Sequence, residues 1–150
     1  MIWIRPAAAL AAVLLLALPS TSTADDGPKK TLLCPVDGQP AQESFVAEHR
    51  GAKVFFCSEH CAEEFAKGPA AFSIKANLQL ALSGQARQKV CAVMTRNPMK
   101  PGNTIDVGGF VLGVCCGRCR STVQALPADA RIARFFEDKA FDKAFEIVKK

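Results

Sequence analysis

The chain has 150 residues, 49% of them apolar, 22% charged and 7% aromatic, with one Trp and no Tyr. This composition excludes a collagen-like or low-complexity chain and argues against wholesale disorder; the length suits one ordinary domain or two very small ones. The formal charge is +5, but Lys and Arg are scattered and form no basic stripe interleaved with aromatics, so nucleic acid is not an expected partner.

The chain opens with Arg5 ahead of an uninterrupted apolar run from Ala7 to Leu18, then Pro19 and the small residues Ser22-Thr23-Ala24. The run falls well short of the about 20 residues that cross a bilayer, and Ser22 and Ala24 suit the −3 and −1 positions of a signal-peptidase site. Residues 1–24 are therefore expected to be a signal peptide. The mature protein would be exported, to the periplasm or the extracellular space, with residues 25–31 as a flexible leader.

All seven cysteines follow that segment, at positions 34, 57, 61, 91, 115, 116 and 119. Their spacing repeats. Cys34, Cys57 and Cys61 form one triplet, and Cys91, Cys115 and Cys119 form another with a single extra residue between its first two members. A shift of 58 also lays Gly51 on Gly109, Val54 on Leu112, Phe65 on Val123 and Pro69 on Pro127. Two tandem modules are expected, at 32–72 and 89–130, each too small to be held by an apolar core alone. In the first, Phe45–Ala47 and Gly51–Cys57 read as hairpin arms; Ser58 then caps a short helix that Gly68-Pro69 ends. In the second, Ile105–Val107 and Phe110–Val114 are the arms and Ser121–Leu126 the helix. A spacing of four puts the second and third thiols of each triplet on one side of a helical turn, where the first can close over them.

Residues 73–88 are Ala- and Leu-rich and read as a linking helix, with a break signal at Ser83-Gly84. Residues 131–150 carry Phe135, Phe136, Phe141 and Phe145 at helical spacing with charges between them, which predicts a C-terminal amphipathic helix broken near Asp138. The expected fold class is thus small α+β: two β-hairpin–helix modules, a linking helix and a terminal helix. The apolar face of that last helix is read as packing on the modules rather than on a membrane.

The motif Cys34-Pro35-Val36-Asp37-Gly38, with Val54-Phe55-Phe56-Cys57-Ser58-Glu59-His60-Cys61 and Phe65, Pro69 and Phe72, resembles the TRASH/YHS-type modules associated with heavy-metal trafficking, resistance and sensing. The second copy is similar but more worn. The resemblance implies a treble-clef, zinc-finger-like fold with Cys34, Cys57, Cys61, Cys91, Cys115 and Cys119 as ligands of copper(I) or zinc(II), about one ion per module. It departs from the family at Asp37, where members often carry a further Cys or a Met.

Four further side chains are candidate ligands. His60 lies between ligand cysteines and His49 near the hairpin turn, though helical geometry turns His60 about 100° from Cys61 and the plainer reading of both is a solvated surface histidine. Met94 offers a thioether suited to Cu(I) or an ordinary gap-filler. Cys116, which replaces Ser58, is a spare thiol, a further ligand or a disulfide partner. The second copy, richer in sulfur, is expected to prefer Cu(I) and the first Zn(II). No phosphate loop, zinc-protease motif or nucleophile with a spare His and acid is present, so no enzyme is expected. The expected role is capture or transfer of a thiophilic ion, in contact with a metal-transporting or metal-accepting protein. Alternatives are a structural zinc module that binds a protein partner and, from Cys116-Gly117-Arg118-Cys119, a thiol–disulfide redox protein.

Overall fold

The computed structural model describes residues 30–149, so the expected signal peptide and residues 25–29 of the leader lie outside the described residues. Within these bounds the chain is a small α+β protein with five α-helices and three two-stranded antiparallel sheets.

The first hairpin pairs β1 (Gln42–His49) with β2 (Ala52–Phe56), with Val46 opposite Phe55 and His49 opposite Ala52. Its two-residue turn puts both Arg50 (φ 56°) and Gly51 (φ 77°) in the left-handed region, as the right-handed twist of the strands demands. Arg50 is an unusual residue there. It is held by Asp138 at 2.7 Å, by Asp142 and by the Phe141 ring at 5.2 Å. The second hairpin, β4 (Thr104–Val107) with β5 (Phe110–Gly113), turns on Gly108 and Gly109 in the same way.

Each hairpin leads into a helix, α1 (Glu59–Lys67) in the first half and α3 (Gly117–Gln124) in the second. Ser58 caps α1 by accepting the Cys61 N–H at 3.3 Å, and Gly68 closes it with bonds to the Glu64 and Phe65 carbonyls before Pro69. Where Ser121–Leu126 was expected, α3 starts four residues earlier. Gly117 and Arg118 are poor landmarks for a helix start, and the N-cap position is taken by Cys116.

The linking segment departs most from expectation. A 3-10 turn (Pro69–Phe72) and α2 (Ser73–Leu82) are followed by a turn at Gly84 (φ 73°) and a short strand, β3 (Ala86–Gln88), so the helix does not run to residue 88. Nor is α2 a spacer. It packs on β2, β5 and the last two helices, α4 (Ala128–Phe136) and α5 (Asp138–Ala144), and joins the two halves in one apolar core.

The terminal segment breaks at Glu137, beside the expected Asp138, but then ends in a strand, β6 (Phe145–Ile147), paired antiparallel with β3. Phe145 continues the helical Phe spacing, yet its ring stacks on Phe141 at 4.7 Å and packs on Phe136 at 5.5 Å from an extended backbone.

Two buried glutamines tie the linker to the two halves by matching bonds. Gln79 accepts the Phe55 N–H at 2.7 Å and donates to the Phe55 and Leu33 carbonyls, both at 2.8 Å. Gln88 accepts the Gly113 N–H and donates to the Gly113 and Val90 carbonyls, all at 2.8 Å. Phe55 and Gly113 each stand two positions before the second cysteine of their triplet; Leu33 and Val90 stand one before the first. Each carboxamide thus fixes the loop bearing one cysteine to the strand bearing another. Gln79→Leu should leave three backbone groups unpaired, at a cost of about 1–3 kcal/mol for each that stays buried, and should lower the urea midpoint accordingly. A midpoint equal to that of the parent would show that the clamp is dispensable.

Candidate metal centres

The first cysteine of each triplet sits in a tight loop. The Gly38 N–H donates to the Cys34 carbonyl at 2.9 Å, and the Thr95 N–H to that of Cys91 at 2.8 Å; both donors have positive φ, 79° and 48°. The Cys34 N–H then donates to the Gln39 carbonyl, five residues on, whereas that of Cys91 donates to the Asn97 carbonyl, six residues on. The extra residue in the second triplet spacing is therefore absorbed in this loop, and the second and third cysteines keep equivalent places.

Those places are the end of the hairpin and the first turn of the following helix. Cys57 and Cys61 sulfurs lie 3.6 Å apart, as do those of Cys115 and Cys119. Among the described residues two sets of metal-ligating side chains converge, with ligand atoms all within 4.8 Å of one another: Cys34, Asp37, Cys57 and Cys61, and Cys91, Cys115 and Cys119. A tetrahedral ion with metal–sulfur bonds of about 2.3 Å has sulfur–sulfur edges of about 3.8 Å. Both clusters are close to that size and can hold a metal ion.

The two differ in their fourth corner. Asp37 brings a carboxylate to 3.1 Å from Cys57 Sγ and 3.7 Å from Cys61 Sγ. In the sequence this residue reads as the loss of a soft ligand and as a carboxylate near the thiolates that favours Zn(II); the loop folds that carboxylate into the site. In the second cluster Met94, at the matching position, donates its backbone N–H to Cys91 Sγ at 3.5 Å and is 39% exposed. The second set is also drier, for Cys91, Cys115 and Cys119 are all buried, while Cys57 and Asp37 in the first are open to solvent.

Neither histidine joins these sets. His60 is exposed on α1. His49 is turned inward, edge-on to Phe65 at 5.5 Å with Nε2 3.1 Å from Asn77 Oδ1, and burial holds its imidazole below the ordinary range. Asn77 in turn donates to the Phe136 carbonyl and to Asp138, so His49 belongs to the network that seats the hairpin turn on the C-terminal helices. Cys116 lies at the edge of the second set, 3.9 Å from Cys115 Sγ and half-buried.

Charge differs between the sulfurs. Hydrogen bonding to Asp37, with smaller contributions from burial and from Cys61, pushes the Cys57 thiol up to about 12. In the second set burial resists ionisation of Cys91, but the N–H groups of Met94, Cys115 and Val93 outweigh it and lower its pKa. Burial, then the neighbouring thiols of Cys116 and Cys115, raises Cys119. Without metal, each set therefore retains protons that an incoming cation must displace.

Compared with known proteins, the chain matches no family model, no curated protein and no solved structure.

If the Asp37 carboxylate is what holds Cys57 protonated, Asp37→Asn should speed alkylation of Cys57 in the reduced, metal-free protein near pH 8 by at least about tenfold, the effect of a one-unit fall in pKa. An unchanged rate at Cys57, read by mass mapping, would show that the carboxylate does not control it.

Proposed function

We propose that the protein is a two-site binding protein for thiophilic metal ions, serving their capture or transfer in metal homeostasis or resistance. The observation that carries this reading is the repeated placement of three unlinked cysteines at a loop, a strand end and a helix start, at the spacing a single ion requires. The resemblance of both triplets to TRASH/YHS-type modules supports it, and the N-terminal signal pattern suits a role outside the cytoplasm.

The ions are cargo. At the first site Cys34, Cys57, Cys61 and Asp37 offer three thiolates and one hard oxygen, a set suited to Zn(II), which accepts both donor types in a tetrahedron. At the second, Cys91, Cys115 and Cys119 offer sulfur alone in a buried setting, which suits Cu(I). Cys57 and Asp37 are the solvent-facing members of the first site and so the groups an acceptor protein would replace first.

A structural zinc module is the weaker reading, because one core joins both halves and the helices α2, α4 and α5 pack on one another by apolar contacts. Metal removal is therefore expected to loosen the loops and hairpin ends while most helical signal in circular dichroism persists.

Purified under reducing conditions, the protein should bind about two ions per chain, and Cys57→Ser should remove about one. Full occupancy in a variant lacking both Cys57 and Cys61 would overturn the ligand assignment. Asp37→Asn should weaken Zn(II) at the first site by at least about tenfold, the lower end of what disturbing even an outer-shell partner costs, and leave Cu(I) binding at the second unchanged. Equal loss of both ions would argue against the division of metals.

A further inference from the structure

The two matched triplets leave Cys116 without a role. It stands where the first half has Ser58, with nearly the same extended backbone: φ −161° and ψ 167° against φ −151° and ψ 163°. Both residues are the N-cap of the helix bearing the third cysteine. In that position the Cys116 sulfur lies 3.9 Å from that of Cys115, which is itself 3.6 Å from that of Cys119. Exposure separates it from its neighbours: Cys91, Cys115 and Cys119 are 0%, 7% and 4% exposed, whereas Cys116 is half-buried.

An accessible sulfur at a helix start, set against a buried sulfur three residues on, is the arrangement that dithiol chemistry needs. The first sulfur can be reached by a bulky reagent; the second is shielded from one. Cys115 is closer in sequence, but a bond between adjacent residues closes a strained small ring. The other half-exposed sulfur, Cys57, has the Asp37 carboxylate at 3.1 Å, which opposes its thiolate.

We propose that Cys116 and Cys119 form a dithiol–disulfide exchange site whose substrate class is a disulfide. The Cys116 thiolate attacks one sulfur of the incoming disulfide, forming a mixed disulfide and expelling the other sulfur as a thiolate. Cys119 then attacks the Cys116 sulfur, the Cys116–Cys119 bond forms and the second substrate sulfur leaves. The two protons of the cysteine pair end on the two released thiols, so the substrate is reduced and the protein oxidised by two electrons. The exchange site stands without the metal reading. Its consequence rests on that reading: with Cys119 a ligand, the oxidised pair and a filled second site exclude one another, while the first half, with Ser58, has no such partner.

The test uses the full chain, reduced and metal-free, incubated anaerobically with oxidised glutathione. We expect two glutathiones released per chain, a mapped Cys116–Cys119 disulfide, and a fall in ion capacity from about two to about one. Cys116→Ser, which restores the residue of the first half, should abolish the disulfide and keep both ions. No disulfide, one mapped to a pair lacking Cys116, or oxidation at the parent rate in Cys116→Ser would overturn the site. A Cys116–Cys119 bond that leaves capacity at two ions would support the exchange site and overturn the ligand role of Cys119.

Discussion

The geometry of both clusters depends on two buried carboxamides. A three-cysteine site drawn from a loop, a strand and a helix has two chain segments to hold in register, and the hairpin fixes neither the loop nor its distance from the strand. Gln79 and Gln88 do so, each bonding the strand residue two before one cysteine and the carbonyl just before another. Gln85 adds a further pair of bonds to Lys53 on β2. Side-chain amides here occupy the edge that a third strand would otherwise cover, and that edge is consequently closed to pairing with another chain.

The two halves are unequal in a way that separates scaffold from chemistry. Both keep the hairpin turn in the left-handed region, the carboxamide clamp and the positive φ in the cysteine loop. They differ where a side chain faces the cluster, at Asp37 against Met94 and at Ser58 against Cys116. One half combines oxygen with sulfur near solvent; the other places sulfur alone in a dry setting. Desolvation then works with ligand type, because burying several thiolates together is unfavourable unless a cation compensates them.

Much of this was legible in the residues. The triplets, both hairpins with their turns and the capped first helix follow from spacing, turn chemistry and Ser58. The linker was harder to read. Asn77 and Gln79 are polar residues on a buried face of α2, which breaks the apolar pattern that would have announced a core helix, and their worth lies in bonds to residues 24 to 61 positions away. Strands β3 and β6 have three residues each, too few to show alternation, and Phe145 extends the helical period into one of them. In the sequence Asp37 stands as a departure from a motif and as a carboxylate near the first triplet, but only its loop shows that the carboxylate turns toward the thiols.

The pairing of β3 with β6 sets an order of events. Strand β3 leads directly into the loop of Cys91, and its partner lies almost 60 residues later; the Lys89 N–H donates to the Ala144 carbonyl and the Val148 N–H to that of Gln85. The first hairpin is likewise anchored late, through Arg50 to Asp138 and Asp142. Every cysteine therefore leaves the ribosome before the segment that encloses it. During synthesis the chain passes through an interval in which seven thiols have been made and the structure that selects their partners has not. How they emerge from that interval depends on the reductants and ions they meet first.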